Sequence, residues 1–191
     1  MQIGLGLFAL GLLALVVPAA GQNASSGDKP RVALETSKGT IVLELAQEAA
    51  PGTVENFLAY VRDGFFDGTV FHRVIDGFMI QGGGFTADLE RKDTRAPIQN
   101  ESATALSNAR GTIAMARTND PHSATSQFFI NAVDNPRLDR SPGNAGYTAF
   151  GRVVEGMDVV DAIAGVATTR KAGMDDVPVE AVVIRKATVV E

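Results

Sequence analysis

The stretch FHRVIDGFMIQGGGF, Phe71 to Phe85, sets Arg73 among Phe71, Val74, Phe78, Met79 and Ile80 and runs into three consecutive glycines. A guanidinium is always charged and is costly to desolvate without a partner. Side chains two apart in a strand share a face. Reading the stretch as two extended runs, "TVFHRV" from Thr69 and "FMIQGG" from Phe78, puts Met79 and Gln81 on one face and Phe78 with Ile80 on the other. His72 is expected on the face opposite Arg73, as a hydrogen-bonded structural histidine.

Working outward, the alternation recurs. In "SQFFIN" from Ser126, Gln127 pairs with Phe129 and Phe128 with Ile130; in "TIAMA" from Thr112, Ile113 pairs with Met115 and Ala114 with Ala116. If Ile80, Ile113, Met115, Phe128 and Ile130 fill a core, the other face carries Met79, Gln81, Ala116, Gln127 and Phe129. That is an apolar patch edged by two amides beside Arg73, the composition of a binding site.

The flanking sequence supplies the rest of a β-rich domain. "RVALETSKGTIVLELA" from Arg31 alternates on both sides of Ser37-Lys38-Gly39 and predicts a hairpin. "APGTVENFLAYVRDG" from Ala50 predicts a helix: Val54, Phe57, Leu58 and Val61 recur at helical spacing, Pro51 suits its first turn and Gly64 its end. "EGMDVVDAIAG" from Glu155 predicts a second, and "AFGRVV" and "AVVIRKATVV" add β-runs. Many short strands with two helices imply a closed antiparallel barrel or a sandwich whose open ends the helices cover.

The first 30 residues read differently. No side chain is charged before Asp28, and the apolar run from Ile3 to Val17 is shorter than the roughly 20 residues that span a bilayer. With Ala19 and Gly21 behind it, this run predicts a signal peptide over 1–21, cleaved before Gln22, with an uncleaved anchor as the alternative. A polar linker, 22–30, would lead into one domain, 31–191. The protein has 191 residues, no cysteine, a net charge of −5 and a pI near 5.1. The domain is long enough to bury a core without disulfides. Its acidity argues against nucleic acid as the main partner.

Several chemistries are excluded. Two histidines and no cysteine cannot build a usual zinc site. "QGGG" lacks the Lys-Ser/Thr of a phosphate-binding loop and reads as a flexible strand end. His122, Ser123 and Ser126 lie close in sequence, but nothing resembles a nucleophile elbow, so no hydrolase triad is expected.

"FHRVIDGFMIQGGGFT", followed by "GTIAMA", "SQFFI", "LD" and "FGRVVEGMDVVDAI", resembles the cyclophilin family of peptidyl-prolyl cis–trans isomerases, with the export segment and "YTAFG" most similar to bacterial periplasmic members. The resemblance covers nearly all of Val32 to Val190. It implies a mainly β fold, a closed eight-stranded antiparallel barrel capped by two α-helices. It also implies an enzyme without cofactor or metal that acts on X-Pro bonds. Arg73 would be the catalytic arginine. Phe78, Met79, Phe129 and Leu138 would wall the proline pocket, and Gln81 and Gln127 would bond the substrate backbone or hold Arg73. Ala116 and Arg117 would line the groove, Arg117 where many members have Asn. Tyr147 stands where animal members usually have His, and Arg137 where they often have Trp. The expected partners are proline-containing peptides and unfolded exported proteins, met by a periplasmic monomer with no stable membrane insertion after signal removal. A proline-peptide-binding chaperone with incidental turnover is the rival reading.

Overall fold

The structure, a computed structural model, describes residues 1–2 and 29–190; the expected signal from residue 3 onward and the linker up to residue 28 lie outside them. No helix among the described residues is long and apolar enough to cross a membrane.

The predicted hairpin forms as β1 (Arg31–Thr36) and β2 (Gly39–Leu45), which bury Val32, Leu34, Ile41, Leu43 and Leu45 on one face. The helix α1 (Pro51–Arg62) follows, turning Val54, Phe57, Leu58 and Val61 inward. Its N-cap, Ala50, offers no side-chain acceptor. Glu101 takes that role from a distant loop, accepting from Gly52 N at 3.0 Å and from Thr53 N at 2.8 Å. A carboxylate there satisfies orphan N–H groups and meets the positive end of the helix dipole.

The chain continues through β3 (Thr69–Ile75), β4 (Met79–Thr86), β5 (Thr112–Met115), β6 (Phe128–Asn131), β7 (Ala149–Glu155), α2 (Met157–Ala164), β8 (Thr168–Lys171), β9 (Met174–Pro178) and β10 (Ile184–Val190). Eight strands form one antiparallel sheet in the order β10-β1-β2-β7-β5-β6-β4-β3. The barrel is less closed than expected. Its edge strands β3 and β10 are joined by no continuous ladder, but by the isolated bridge Val70–Val183 and by bonds such as those from Gly68 N and Phe71 N to Ile184 O and Val182 O. Two register shifts between β3 and β4, either side of Phe71, accompany this gap, and such bulges bend a strand away from regular pairing.

The core lies inside the curl, with Phe128 at its centre. Phe57, Phe66 and Phe71 meet its ring edge-on, with centroids 5.6, 5.5 and 6.2 Å away. Ile80, Ile113, Met115 and Ile130 join the same cluster, as the alternation predicted. Helix α2 adds Val160 and Ile163.

The sequence reading did not anticipate β8 and β9. They form a separate two-stranded sheet, turned at Ala172-Gly173 with both φ positive (50° and 78°), which packs against β3. The triple glycine is also not a flexible end. It lies inside β4, and all three residues are buried.

Candidate active site

The outer face of β3–β4–β6–β5 carries the second apolar cluster. Met79, Ala114, Phe129 and Ala149 are buried there, with Ile75, Phe78, Ala116, Leu138 and Tyr147 packed against them. Strand pairing sets the row. Arg73 lies opposite Gln81, Gln81 opposite Phe129, and Phe129 opposite Ala114. One step along the strands, Ile75 faces Met79. Four strands thus bring a cation, an amide, an aromatic ring and a methyl group into one line.

Phe78 departs from the parity reading. It precedes β4, in the turn where its N–H donates to Ile75 O, and it joins Met79 outside rather than Ile80 inside. Gln81 Nε2 donates to Gln127 Oε1 at 3.0 Å, so the two amides hold each other and neither bonds Arg73. The carboxylate that approaches Arg73 is Asp176 of β9, its Oδ2 lying 3.7 Å from Arg73 Nε.

His72 also departs from expectation. The bulge around it places it on the same cleft as Arg73 and Gln127, its ring against Phe85 at 4.5 Å. It is 4% exposed, and Nδ1 has no hydrogen-bond partner. Burial pushes its pKa down to about 4, the adjacent Arg73 charge adding to that and the neighbouring Val70 backbone and Gln127 partly offsetting it. It is therefore neutral near pH 7.

The other wall of the patch is a loop from Pro136 to Tyr147. Leu138 ends a short 3₁₀ turn, and Leu138 O accepts from Tyr147 N at 2.9 Å. The Tyr147 ring meets Phe129 edge-on at 5.7 Å, and the Arg117 guanidinium lies over its other neighbourhood, 4.4 Å from the centroid. Arg117 Nε donates to Gly146 O at 3.1 Å, so its side chain buttresses Tyr147. Arg137, in the same 3₁₀ turn, is exposed.

Beneath the loop lies a polar network that the sequence reading missed. Asp139 accepts from Ser107 Oγ at 2.6 Å, Asn108 N at 2.7 Å and Asn108 Nδ2 at 2.8 Å. Burial would raise its pKa, but these bonds outweigh it and hold the carboxyl below the usual range. Asn135 Nδ2 donates to Phe78 O and to Asn131 Oδ1, fastening the loop to the sheet. The only sequence signal was the spacing of Asn and Asp between β-runs, which by itself predicts turns.

His122 joins two loops and Ser123 ties its own. Nδ1 of His122 accepts from Asn100 N, and the Ser123 hydroxyl donates to Asp120 O. Among the described residues no group of three or more His, Cys, Asp or Glu could hold a metal ion.

The model of the family described as cyclophilin type peptidyl-prolyl cis-trans isomerase/CLD matches residues 31–189. The chain belongs to this family. It is a peptidyl-prolyl cis–trans isomerase. The isomerase is 62% identical over 161 residues to peptidyl-prolyl cis-trans isomerase cyp18 of Streptomyces antibioticus, covering 83% of this chain and 97% of the relative. It is 54% identical to peptidyl-prolyl cis-trans isomerase B of Escherichia coli, covering 84% and 99%. Among solved structures it is similar to a cyclophilin-type isomerase of Cryptosporidium parvum, crystallised in the presence of the dipeptide Ala-Pro. The TM-score there is 0.70 with 25% identity, covering 84% of this chain and 99% of that one.

Proposed function

We propose that the isomerase turns X-Pro bonds on the outer face of β3–β4–β6–β5, with Arg73 as the donor to the prolyl nitrogen. The observation that carries this reading is the row Arg73–Gln81–Phe129, which sets a guanidinium beside an apolar patch. Phe78, Met79, Phe129, Leu138 and Tyr147 receive the ring. Gln81, Gln127, Ala116 and Arg117 flank the peptide backbone. The Ala-Pro dipeptide used with the Cryptosporidium parvum relative is in keeping with such a substrate.

Amide resonance opposes rotation with a barrier of roughly 20 kcal/mol. No covalent bond is broken, so no nucleophile is needed. Twisting localises the lone pair on the prolyl nitrogen. A donor aimed there stabilises the transition state more than the planar ground state. One hydrogen bond from a charged group contributes roughly 1.5–3 kcal/mol, whereas an acceleration of ~10⁵ requires about 7 kcal/mol. The apolar wall supplies part of the remainder, because resonance weakens in a dry medium. Anchoring one side of the bond supplies more.

Arg73→Ala is expected to fold and to bind proline peptides, yet to isomerise them ~10²- to 10³-fold more slowly. A coupled isomerisation assay reads this; turnover at the unmodified rate removes Arg73 from the mechanism.

We further infer a role in folding exported proteins, supported by the uncharged apolar run Ile3–Val17 and the small residues after it. Protein from the native host should begin at Gln22 and lie outside the cytoplasmic membrane. Mass spectrometry checks this, and intact Met1 in a membrane fraction would favour the anchor.

A further inference from the structure

The hairpin β8–β9 has no place in the eight-stranded sheet and gains little from burial. β8 is exposed along its length, and only Val177 and Pro178 of β9 are buried. Yet it borders an open cleft of about 420 Å³ that Arg73, His72 and Gln127 also line. At the mouth of that cleft stands Asp176, with Oδ2 3.7 Å from Arg73 Nε.

Two features single out this carboxylate. First, Asp176 has φ 60°, a left-handed conformation that Asp adopts more readily than most residues but that is unusual within a strand. Second, the side chains of Arg73 and Asp176 are 43% and 40% exposed. An ion pair so accessible contributes little to stability. Neither burial nor the charge pair accounts for the strained backbone. The contact is also made through Nε, at the inner side of the guanidinium. Among the described residues no hydrogen bond holds the two terminal nitrogens of Arg73, which stay free for a ligand. The adjacent Asp175 pairs instead with Arg170, at 3.5 Å.

We propose that Asp176 is a positioning residue for the isomerisation, holding the Arg73 guanidinium from its Nε side so that its terminal nitrogens meet the peptide. This rests on the reading of Arg73 given above. The hairpin then has a role that the sheet does not supply: among the described residues it carries the carboxylate within ion-pair reach of the arginine. A carboxylate that orients a donor acts in the transition state, so its removal lowers kcat and leaves peptide affinity unchanged.

The test compares Asp176→Asn, Asp176→Gly, Asp175→Asn and Arg73→Ala in the intact chain. Asn tolerates left-handed backbone as Asp does, so Asp176→Asn removes the charge without disturbing the strand's backbone. Asp176→Gly relieves the backbone strain as well. The Asp176 variants should lose about two- to fivefold in kcat, the size expected for a half-exposed pair. Their peptide Kd, read by NMR titration, should stay unchanged, and the Arg73 Nε–Hε resonance should broaden. Asp176→Gly should melt no lower than the unmodified protein while remaining slow, whereas a merely structural role would move stability and turnover together. Asp175→Asn should keep its kcat. Full kcat in both Asp176 variants, with loss in Arg73→Ala, overturns the proposal and leaves the Arg73 reading standing. Full activity in Arg73→Ala removes both.

Discussion

Gly84 has no side chain, and a Cβ there would collide with Gln127 Cγ and lie 2.7 Å from its Cδ. Its neighbour Gly83 leaves room in the same way for Phe128, at 2.8 Å, and has φ +80°. The glycine run is therefore a device for close approach, one position toward the core and the next toward the site. Gly84 itself has no positive φ, so the cost of Gly84→Ala is one of overpacking, about 1–3 kcal/mol in stability. It should displace Gln127, however, and with it the amide pair. A misplacement of about 1 Å in a positioning group can cost up to ~10²-fold. Gly84→Ala is thus expected to lower kcat/KM by roughly 10- to 100-fold, and unfolding curves run beside the isomerisation assay separate the two effects.

At the scale of elements, the Pro136–Tyr147 loop is placed by Asp139 as well as by its own apolar residues. Removing the carboxylate orphans the Asn108 backbone N–H, a loss of about 1–3 kcal/mol for a buried group. Asp139→Ala should destabilise by that amount and raise KM more than it lowers kcat, since Leu138 and Tyr147 would lose their common anchor; thermal melts and steady-state kinetics check this. The same element explains what the sequence could and could not tell. In β4, β5 and β6 one face meets the core and the other the site, so period-two alternation sorted Ile80 from Gln81 and Phe128 from Phe129 correctly. Phe78 was missorted because it belongs to a turn, where the alternation lapses. His72 was missorted because a bulge shifts the face. The β8–β9 hairpin was invisible for a different reason: Thr168–Lys171 is exposed on both faces, so it has no apolar period to read. Asp176 reaches Arg73 only through that hairpin, and no local pattern links the two.

For the whole molecule, acid stability should be governed in part by His72. Its pKa falls from 6.5 to about 4 on folding. Between those values the unfolded chain binds a proton that the folded chain refuses, so stability rises with pH there and is lost as pH falls from 6.5 toward 4. The Asp139 contribution has the sign of a depressed carboxyl: it is present above the ordinary value of 3.8 and lost as pH falls through the lower folded value. The two windows are separate. His72→Phe should flatten the upper one, and denaturant unfolding at stepped pH measures it; an unchanged slope would show that His72 is not protected from protonation.

Because successive residues of β4 and β6 belong alternately to core and site, these strands can change by substitution but not by length. Inserting or deleting one residue would turn Gln81 and Phe129 inward and send Ile80 and Phe128 out to solvent, losing catalysis and fold in one event. Diversification in this protein is therefore confined to exchanges at fixed positions along the strands. Gains and losses of residues have room in the connecting loops, such as the stretch between β4 and β5, where added chain shifts no strand register.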